Sequence, residues 1–388
     1  MFRIYVLKII LASALLIGFI LSFKLWITTR SYPLSPVVDS LLQISYPFDY
    51  IFFFLMLILL GIIIFLPNPR VFISIFIALA ILLSLLDQSR WQPWFYQYIF
   101  MLSTFGFYSW RKEIPEKSEQ ILNICRLIIA SIYFWSGVNK INFFFPEKTF
   151  NWISNSPMNF LPDSIITVPF LWLTIPLFEI LIGILLLTKY KNIAIGCAIL
   201  MHTCLLIILG PFGYNWNSVV WPWNIAMILL LLVLFYKSKK FSFKDILKIK
   251  KHYFYIPIIV LFSIMPVFNL IGYWDSYISF SLYSDNTNYA RFKIHDEVVN
   301  SFSPEIVKYA FKRNSQTRYN ILDLSTWSRN ELNVPAYPEK RIFRNIAKNL
   351  CKNARYPSDI TLIIYERKGI INNSPVVREY DCGGYLII

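Results

Sequence analysis

The chain alternates between long apolar runs and short polar segments over residues 1–275, and then changes character. A membrane-spanning helix needs roughly 17–25 mostly apolar residues. By this rule the pattern predicts an all-α polytopic membrane bundle of about nine spans. The fourth is the weakest prediction, because Gln97, Ser103 and Thr104 interrupt it. The predicted spans are 4–27, 49–66, 71–87, 93–109, 121–139, 167–188, 192–211, 218–236 and 253–273.

The first run has two interpretations. Arg3 and Lys8 precede an apolar core, as in a secretory signal. However, the run is long, and no small-x-small cleavage pattern follows it. We therefore interpret it as an uncleaved span, with a cleaved signal as the alternative.

Composition and charge favour a membrane over nucleic acid as the partner of this chain. The sequence is 56% hydrophobic and only 15% charged, whereas soluble domains are about 25% charged. Its formal net charge is +15, and much of the excess lies in the segment 237–251. No stacking or groove-reading module accompanies these charges. Basic loops between spans are typical of the cytoplasmic face, where they meet anionic lipid.

The loop charges also predict an orientation. If the N-terminus is cytoplasmic, the even-numbered loops carry most of the basic residues, as the positive-inside rule requires. With nine spans the C-terminal domain then lies outside the cytoplasm. The richness in Ile, Lys, Asn and Phe suggests a bacterial inner membrane. The basic residues of the even-numbered loops are Arg70, Arg111, Lys112, Lys117, Lys189, Lys191 and the lysines of 237–251.

A small soluble α+β domain is predicted for residues 285–388, after a membrane domain over 1–275. Apolar runs shorten here, and Asn, Asp, Arg and Lys become common. The segment 326–340 contains Pro335 and Pro338 and is predicted as a loop. The pattern predicts strands near 289–295, 319–324, 360–367 and 375–380, and helices near 304–314 and 338–353.

Cys351 and Cys382 are the only two cysteines of this soluble region. In an oxidising compartment they are candidates for a disulfide, with two unpaired thiols as the alternative. No close Cys or His pair forms a zinc-binding pattern, so no metal is expected.

Ionisable residues inside predicted spans are the candidates for function, because they are costly in lipid. Glu179 and His202 stand at similar distances from the turn that joins their spans, and we predict that they lie at the same depth. The alternative is an interhelical hydrogen bond that only stabilises packing. Arg126 lies within the fifth span. Lys140 ends it, where snorkelling to the membrane surface is the alternative to a functional role.

The run 126–142, RLIIASIYFWSGVNKIN, closes with aromatic-aromatic-small-Gly-x-x-Lys. Over 120–236 the chain resembles the DoxX-like and HTTM membrane families, the latter including the vitamin K-dependent γ-carboxylases. The matching order is this helix, an aromatic loop over 143–152, a span with Glu179, a basic turn, a span with His202 and a Phe-Gly-Tyr loop.

The resemblance implies an outward-opening site for a lipid quinone of menaquinone or vitamin K type. Lys140 matches the lysine thought to deprotonate reduced vitamin K, and Glu179 and His202 match further site positions. The implied chemistry is quinone-linked redox or carboxylase-like. The carboxylases also carry a large propeptide-binding region, which the soluble domain here does not resemble. The residues predicted to bind the ligand are Arg126, Asn139, Trp135, Asn224, Asp87 and Arg90.

Three functions remain open at this stage. The first is an enzyme acting with a quinone. The second is a non-catalytic membrane subunit that docks a partner protein through residues 285–388. The third is a transporter, for which Pro176 and Pro222 are weak signs of broken helices, and no internal repeat supports it. Asp87 and Arg90 also have a second interpretation, as part of an interfacial aromatic anchor.

Overall fold

The computed structural model describes residues 2–38, 40–41, 43–108, 110, 114–155, 168, 170–241, 255–312, 317–366 and 374–383. Each predicted span contains an α-helix among the described residues, but three of these helices, of 11, 13 and 9 residues, are much shorter than the span predicted for them. Backbone groups in lipid must be hydrogen-bonded within their own segment, which explains why the apolar runs become helices. The helices are α1 (Phe2–Leu21), α2 (Phe48–Phe65), α3 (Arg70–Leu86), α4 (Pro93–Ser103), α5 (Pro115–Lys140), α6 (Thr174–Leu186), α7 (Lys191–Leu209), α8 (Val220–Phe235) and α9 (Tyr255–Ser263).

Helix length supports fewer spans than the sequence predicts. By length and composition, four helices in the described part of the chain are able to cross a membrane, namely α1, α2, α5 and α7. Four shorter apolar helices accompany them, at Arg70–Leu86, Leu171–Leu186, Val220–Phe235 and Tyr255–Ile271. The count of nine is therefore not supported. Helix α4 has 11 residues, and nearly all of them are buried against other parts of the protein. It therefore has little surface that could contact lipid.

The outer surface of the bundle is apolar. Soluble monomers rarely expose large continuous apolar patches, whereas lipid-facing helices must. The described helices therefore have the surface of a membrane protein. Examples of large exposed apolar side chains are Phe54, Ile58, Phe65, Val71, Leu181, Ile193, Leu200 and Leu229.

Basic side chains link the N-terminus to loops that the charge pattern assigns to the same side. The Arg3 guanidinium donates to the carbonyl of Tyr236 at 2.7 Å. Lys191 donates to the carbonyl of Ser238 at 2.7 Å, and Arg70 donates to that of Gly106 at 2.8 Å. These bonds hold the N-terminus near residue 236 and residue 191 near residue 238, and a separate bond joins residue 70 to residue 106. Residues 242–251 of the predicted basic segment lie outside the described residues.

The C-terminal region is an antiparallel sheet of five strands, in the order β2-β3-β1-β4-β5. Two helices cover the face that carries Phe292, Leu322 and Leu362, which are fully buried. The elements are β1 (Tyr289–His295), β2 (Ala310–Lys312), β3 (Tyr319–Asp323), α10 (Leu324–Leu332), α11 (Lys340–Leu350), β4 (Ile360–Glu366) and β5 (Val376–Asp381).

Two predictions for this region are wrong. The helix predicted over 304–314 is a single turn, Pro304–Val307, followed by strand β2, and residues 313–314 are not described. The segment 326–340 was predicted to be a loop, but residues 326–332 form most of helix α10. Asp323 caps that helix by accepting a hydrogen bond from the backbone of Thr326 at 2.9 Å. Trp327 of this helix is completely buried and packs against the ring of Tyr32. Both prolines follow the helix.

The structure joins Cys351 to Cys382 in a disulfide, with Cα atoms 5.6 Å apart. Cys351 follows the end of α11, and Cys382 follows the end of β5. The bond therefore fastens the last edge strand to the helix layer.

We expect the double substitution of Cys351 and Cys382 by serine to destabilise the domain. The two residues are separated by 31 positions in the sequence. Closing a loop of that size stabilises a fold by about 3–4 kcal/mol through the entropy of the unfolded chain. Thermal unfolding of the purified protein with and without reductant measures the effect. An unchanged midpoint under reducing conditions would show that the bond contributes no stability.

The C-terminal domain packs against the end of the bundle where α5 ends. The Glu331 carboxylate accepts hydrogen bonds from the backbone and hydroxyl of Ser31. Arg341 forms an ion pair with Asp275. Burial alone would lower the pKa of Arg341, but the hydrogen bond to Asp275 and the nearby negative charges together raise the pKa of the guanidinium. Asn333 donates to the Ser218 hydroxyl at 2.8 Å. Several separate segments of the bundle thus hold the domain, including residues 88–92, where Gln92 donates to the carbonyl of Pro335 at 3.2 Å.

Candidate functional site: a cavity between four helices

A cavity of about 350 Å³ lies between α5, α6, α7 and α8. Its size is within the range of small-molecule sites, which are mostly apolar with a few placed polar groups. The walls here are almost entirely apolar. The ionisable and amide side chains that line the cavity are Tyr133, Lys140, Glu179, His202, Cys204, Asn224 and Tyr283.

The first polar group in the cavity is an ion pair. The Lys140 ammonium lies 2.7 Å from a carboxylate oxygen of Glu179. It also donates to the Ser136 hydroxyl, one helical turn earlier, at 2.7 Å. The two side chains are only 7% and 9% exposed. Lys140 is thus directed back into the bundle, and the alternative of snorkelling to the membrane surface does not describe it.

Two glycines bring α5 and α6 close enough to form this pair. A Cβ atom on Gly137 would lie 2.5 Å from the carbonyl oxygen of Pro176. A Cβ atom on Gly183 would lie 2.7 Å from that of Ala130. Any other residue at either position would force the backbones apart. Small residues at helix contacts are the usual means of close packing in membranes.

The second polar group is a hydrogen-bonded chain of three side chains. The Tyr133 hydroxyl lies 2.6 Å from Nε2 of His202, whose Nδ1 lies 2.7 Å from Oδ1 of Asn224. The amide nitrogen of Asn224 donates to the carbonyl of Val220 at 2.7 Å, which fixes the amide orientation. Oδ1 can only accept, so Nδ1 of the imidazole carries a proton. In the neutral ring, Nε2 therefore accepts from the Tyr133 hydroxyl.

The arrangement of Tyr133 was not predicted from the sequence. Tyr133, Ser136 and Lys140 are spaced at i, i+3 and i+7, so they share one face of α5. This spacing was the signal that could have indicated Tyr133. However, a single tyrosine in a helix rich in aromatic residues does not stand out in the sequence. Its partner His202 also lies two helices further along the chain.

Glu179 and His202 both line the cavity, but the structure does not pair them. Glu179 takes Lys140 as its partner, and His202 takes Tyr133 and Asn224. No hydrogen bond joins the carboxylate to the imidazole among the described contacts. The two side chains thus make separate interactions, each with a partner on α5.

Arg126, predicted to bind the ligand, lies outside the cavity. Its guanidinium is buried and donates to the carbonyl of Leu234 at 2.7 Å. It also contacts Glu119 at 2.6 Å and Asn123 at 2.5 Å. These contacts tie α5 to α8 near the end of the bundle that carries Arg3.

Asn139 and Trp135 also lie outside the cavity. The Asn139 amide donates to the carbonyl of Ser279 at 2.8 Å and accepts from Asn269 at 2.8 Å. The Trp135 indole donates to the carbonyl of Ser263 at 3.3 Å. Trp135 connects α5 to the end of α9, and Asn139 connects α5 to the segment that follows α9.

Asp87 and Arg90 form neither an exposed anchor nor part of the cavity wall. Both are buried. Asp87 pairs with Arg30 at 2.5 Å. The Arg90 guanidinium donates to the carbonyls of Leu25 at 3.0 Å and Leu83 at 2.6 Å. They hold together the loop ends beneath the C-terminal domain, and of the six predicted binding residues only Asn224 lines the cavity.

Aromatic residues cover the end of the cavity nearest the C-terminal domain. The rings of Trp152 and Tyr214 stack with centroids 4.5 Å apart, and those of Trp152 and Tyr283 are 6.2 Å apart. Trp152 and Tyr283 line the cavity. We call Trp152, Tyr214 and Tyr283 the aromatic cap. Trp152 belongs to the loop over 143–152 that the sequence had marked.

No protein family, no curated protein and no solved structure matches this chain. Within the described residues, no group of three or more His, Cys, Asp or Glu side chains is placed to hold a metal ion. The candidate site therefore stands on its geometry, and that geometry consists of an apolar cavity with two hydrogen-bonded groups.

Proposed function

We propose that this protein binds a lipid quinone, or a related ring-bearing lipid, in the cavity and transfers protons at the oxygens of the ring. The observation that carries the proposal is the combination of apolar walls with two separate polar groups, the Lys140–Glu179 pair and the Tyr133–His202–Asn224 chain. A quinone is a flat apolar ring with two polar oxygens, and it requires such a pocket.

Each polar group has the parts needed to move a proton. Lys140 supplies a donor to a ring oxygen, and Glu179, at 2.7 Å, holds or returns a proton at that nitrogen. Tyr133 supplies a hydroxyl whose proton His202 can accept at Nε2, while Asn224 keeps the imidazole in one orientation. A bound quinone would supply two-electron redox chemistry, which the side chains lining this cavity cannot supply themselves.

The likeness of residues 120–236 to the DoxX-like and HTTM families supports the same ligand class. In the γ-carboxylases the lysine that closes the corresponding helix is thought to deprotonate reduced vitamin K, and Lys140 matches that position. Tyr133 takes no part in the resemblance, so the cavity provides a separate argument for its role.

The proposal includes a topology of nine spans with the N-terminus in the cytoplasm of a bacterium. The positive-inside rule and the hydrogen bonds of Arg3, Arg70 and Lys191 at one end of the bundle support it. The disulfide supports an oxidising compartment for the C-terminal domain. Helices of 16–17 residues cover about 25 Å, close to the roughly 30 Å of the hydrocarbon core.

Organic extraction and mass spectrometry of the protein purified in mild detergent test the proposal. We expect a quinone to be retained by the wild type. Lys140→Met should weaken its binding by about 10- to 100-fold, since hydrogen bonds to charged groups contribute roughly 1.5–3 kcal/mol. Tyr133→Phe should weaken it by about 5- to 10-fold, the effect of one neutral hydrogen bond.

Matched controls distinguish loss of the ligand from loss of the fold. Lys8 is also a buried lysine, but it donates to backbone carbonyls away from the cavity. Tyr98 is buried, and its hydroxyl has no partner among the described residues. Lys8→Met and Tyr98→Phe should therefore retain the quinone. Equal losses in control and cavity variants, or no quinone in the wild type, would refute the proposal.

A further inference from the structure

We infer that the ligand enters the cavity sideways from the bilayer, between α6 and α7, and therefore carries a long apolar tail. This inference rests on the proposed function and narrows it. A water-soluble ring would have to enter from the end of the bundle, whereas a tailed lipid can enter from the membrane with its tail left in the gap.

Two residues that line the cavity also face the outside of the bundle. Leu200 on α7 is 63% exposed, and Phe178 on α6 is 36% exposed. Leu200 is the tenth residue of its helix, so it lies about 14 Å along the axis. That is near the middle of a hydrocarbon core roughly 30 Å thick. The exposed surface at this depth meets lipid rather than water.

The neighbouring walls are closed. Helices α5 and α6 approach so closely at Gly137 and Gly183 that not even a Cβ atom fits between them. On the side of α8, the Asn224 amide is held to both its own helix and His202. Among the described residues that line the cavity, the exposed ones, Phe178 and Leu200, lie on α6 and α7.

The aromatic cap closes the end of the cavity that points towards the C-terminal domain. The Tyr214 hydroxyl donates to the carbonyl of Trp152 at 2.6 Å. Asn217 donates to the Tyr283 hydroxyl at 2.9 Å. These bonds fix the stacked rings in place, so access from water would require them to break.

The order of polarity along the cavity agrees with sideways access. The polar groups of the cavity, Tyr133 and Lys140 on α5 with their partners His202 and Glu179, are buried. The exposed lining residues on the α6–α7 side, Phe178 and Leu200, are apolar. A ring held at α5 would direct its tail towards that side. The geometry thus fits a ligand with a hydrogen-bonding head and a hydrocarbon chain.

Two photoreactive naphthoquinones test the inference on the full-length protein in lipid nanodiscs. One carries a diazirine on the ring, and the other carries it in the middle of an isoprenoid-length alkyl tail. Mass spectrometry of the cross-linked peptides identifies the labelled residues. We expect the ring probe to label Tyr133 or His202 and the tail probe to label Phe178 or Leu200.

A pair of leucine variants provides the matched control. Leu200→Trp places a larger side chain in the proposed gap between α6 and α7. We expect it to reduce labelling by the tail probe about 10-fold, because the larger side chain opposes entry of the tail. Leu181 on α6 is also lipid-exposed, at 50%, but does not line the cavity. The tail probe should label the Leu181→Trp protein to the same extent as the wild type.

The outcomes separate the two proposals. Ring labelling at Tyr133 or His202 with tail labelling at Trp152 or Tyr283 would overturn sideways access and leave the proposed function intact. Equal tail labelling in the two leucine variants would overturn it as well. If neither probe labels the cavity of the wild type, the proposed function fails, and the inference fails with it.

Discussion

Glu179→Gln is expected to destabilise the protein by about 3–5 kcal/mol, because it leaves the buried Lys140 ammonium without its counter-charge. The two side chains are 2.7 Å apart and almost fully buried. Lys140→Met should have an effect of similar size, since it leaves the carboxylate alone. The double variant should lower the free energy of unfolding by clearly less than the sum of the two single effects, because it removes both charges. Unfolding in detergent, followed by circular dichroism, measures all three.

A second double variant serves as the control for this cycle. Lys8→Met removes a buried lysine whose ammonium donates to the carbonyls of Ile64 and Leu66, with no contact to Glu179. Its effect should add to that of Glu179→Gln, because distant sites without shared partners are independent. If Lys140 and Glu179 also prove additive, the ion pair does not exist in the membrane protein.

Gly183→Leu should separate α5 from α6 and disrupt the cavity. Even the first carbon of the new side chain would lie 2.7 Å from the carbonyl oxygen of Ala130 and 2.8 Å from the backbone nitrogen of Phe134. Overpacking typically costs 1–3 kcal/mol and sometimes more, and here the obstacle is backbone that cannot rotate away. We expect a lower unfolding midpoint and loss of quinone retention together.

Gly196→Leu is the control for this substitution. Gly196 lies on α7, and a Cβ atom there meets nothing within 4 Å. The variant should keep both the wild-type midpoint and the quinone. A Gly183→Leu protein that behaves like Gly196→Leu would show that the two helices do not pack as closely as the structure places them.

The positions of the membrane helices could be predicted from the sequence, because each apolar run must satisfy its backbone internally as a helix. Their ends were less accurate. Helix α5 begins at Pro115 rather than 121, since its first turns are polar and carry no apolar signal. Helix α10 was missed because the presence of Pro335 and Pro338 led to a loop prediction that also included the residues before them.

The candidate site was predicted in part. Lys140, Glu179, His202 and Asn224 do line one cavity. Their partners could not be predicted from the sequence. Residues at the same depth can contact different neighbours, and their spacing in the sequence does not specify how each helix is rotated about its axis. Tyr133 went unnoticed for the same reason.

The misplaced residues share one cause. A buried polar group in a membrane suggests function by default, but many such groups are satisfied by backbone carbonyls instead. Arg90 donates to three carbonyls, those of Leu25, Leu83 and Trp26. Only a three-dimensional structure reveals such partners, since they belong to other helices and leave no pattern in the sequence.

The most direct test of the central claim is cryo-electron microscopy of the protein in lipid nanodiscs, with a naphthoquinone bearing an isoprenoid tail added. The account predicts ring-shaped density in the cavity between α5, α6, α7 and α8, with its oxygens within hydrogen-bond distance of Lys140 and Tyr133. A cavity that is well resolved and empty at saturating quinone, or quinone density elsewhere on the protein, would contradict it.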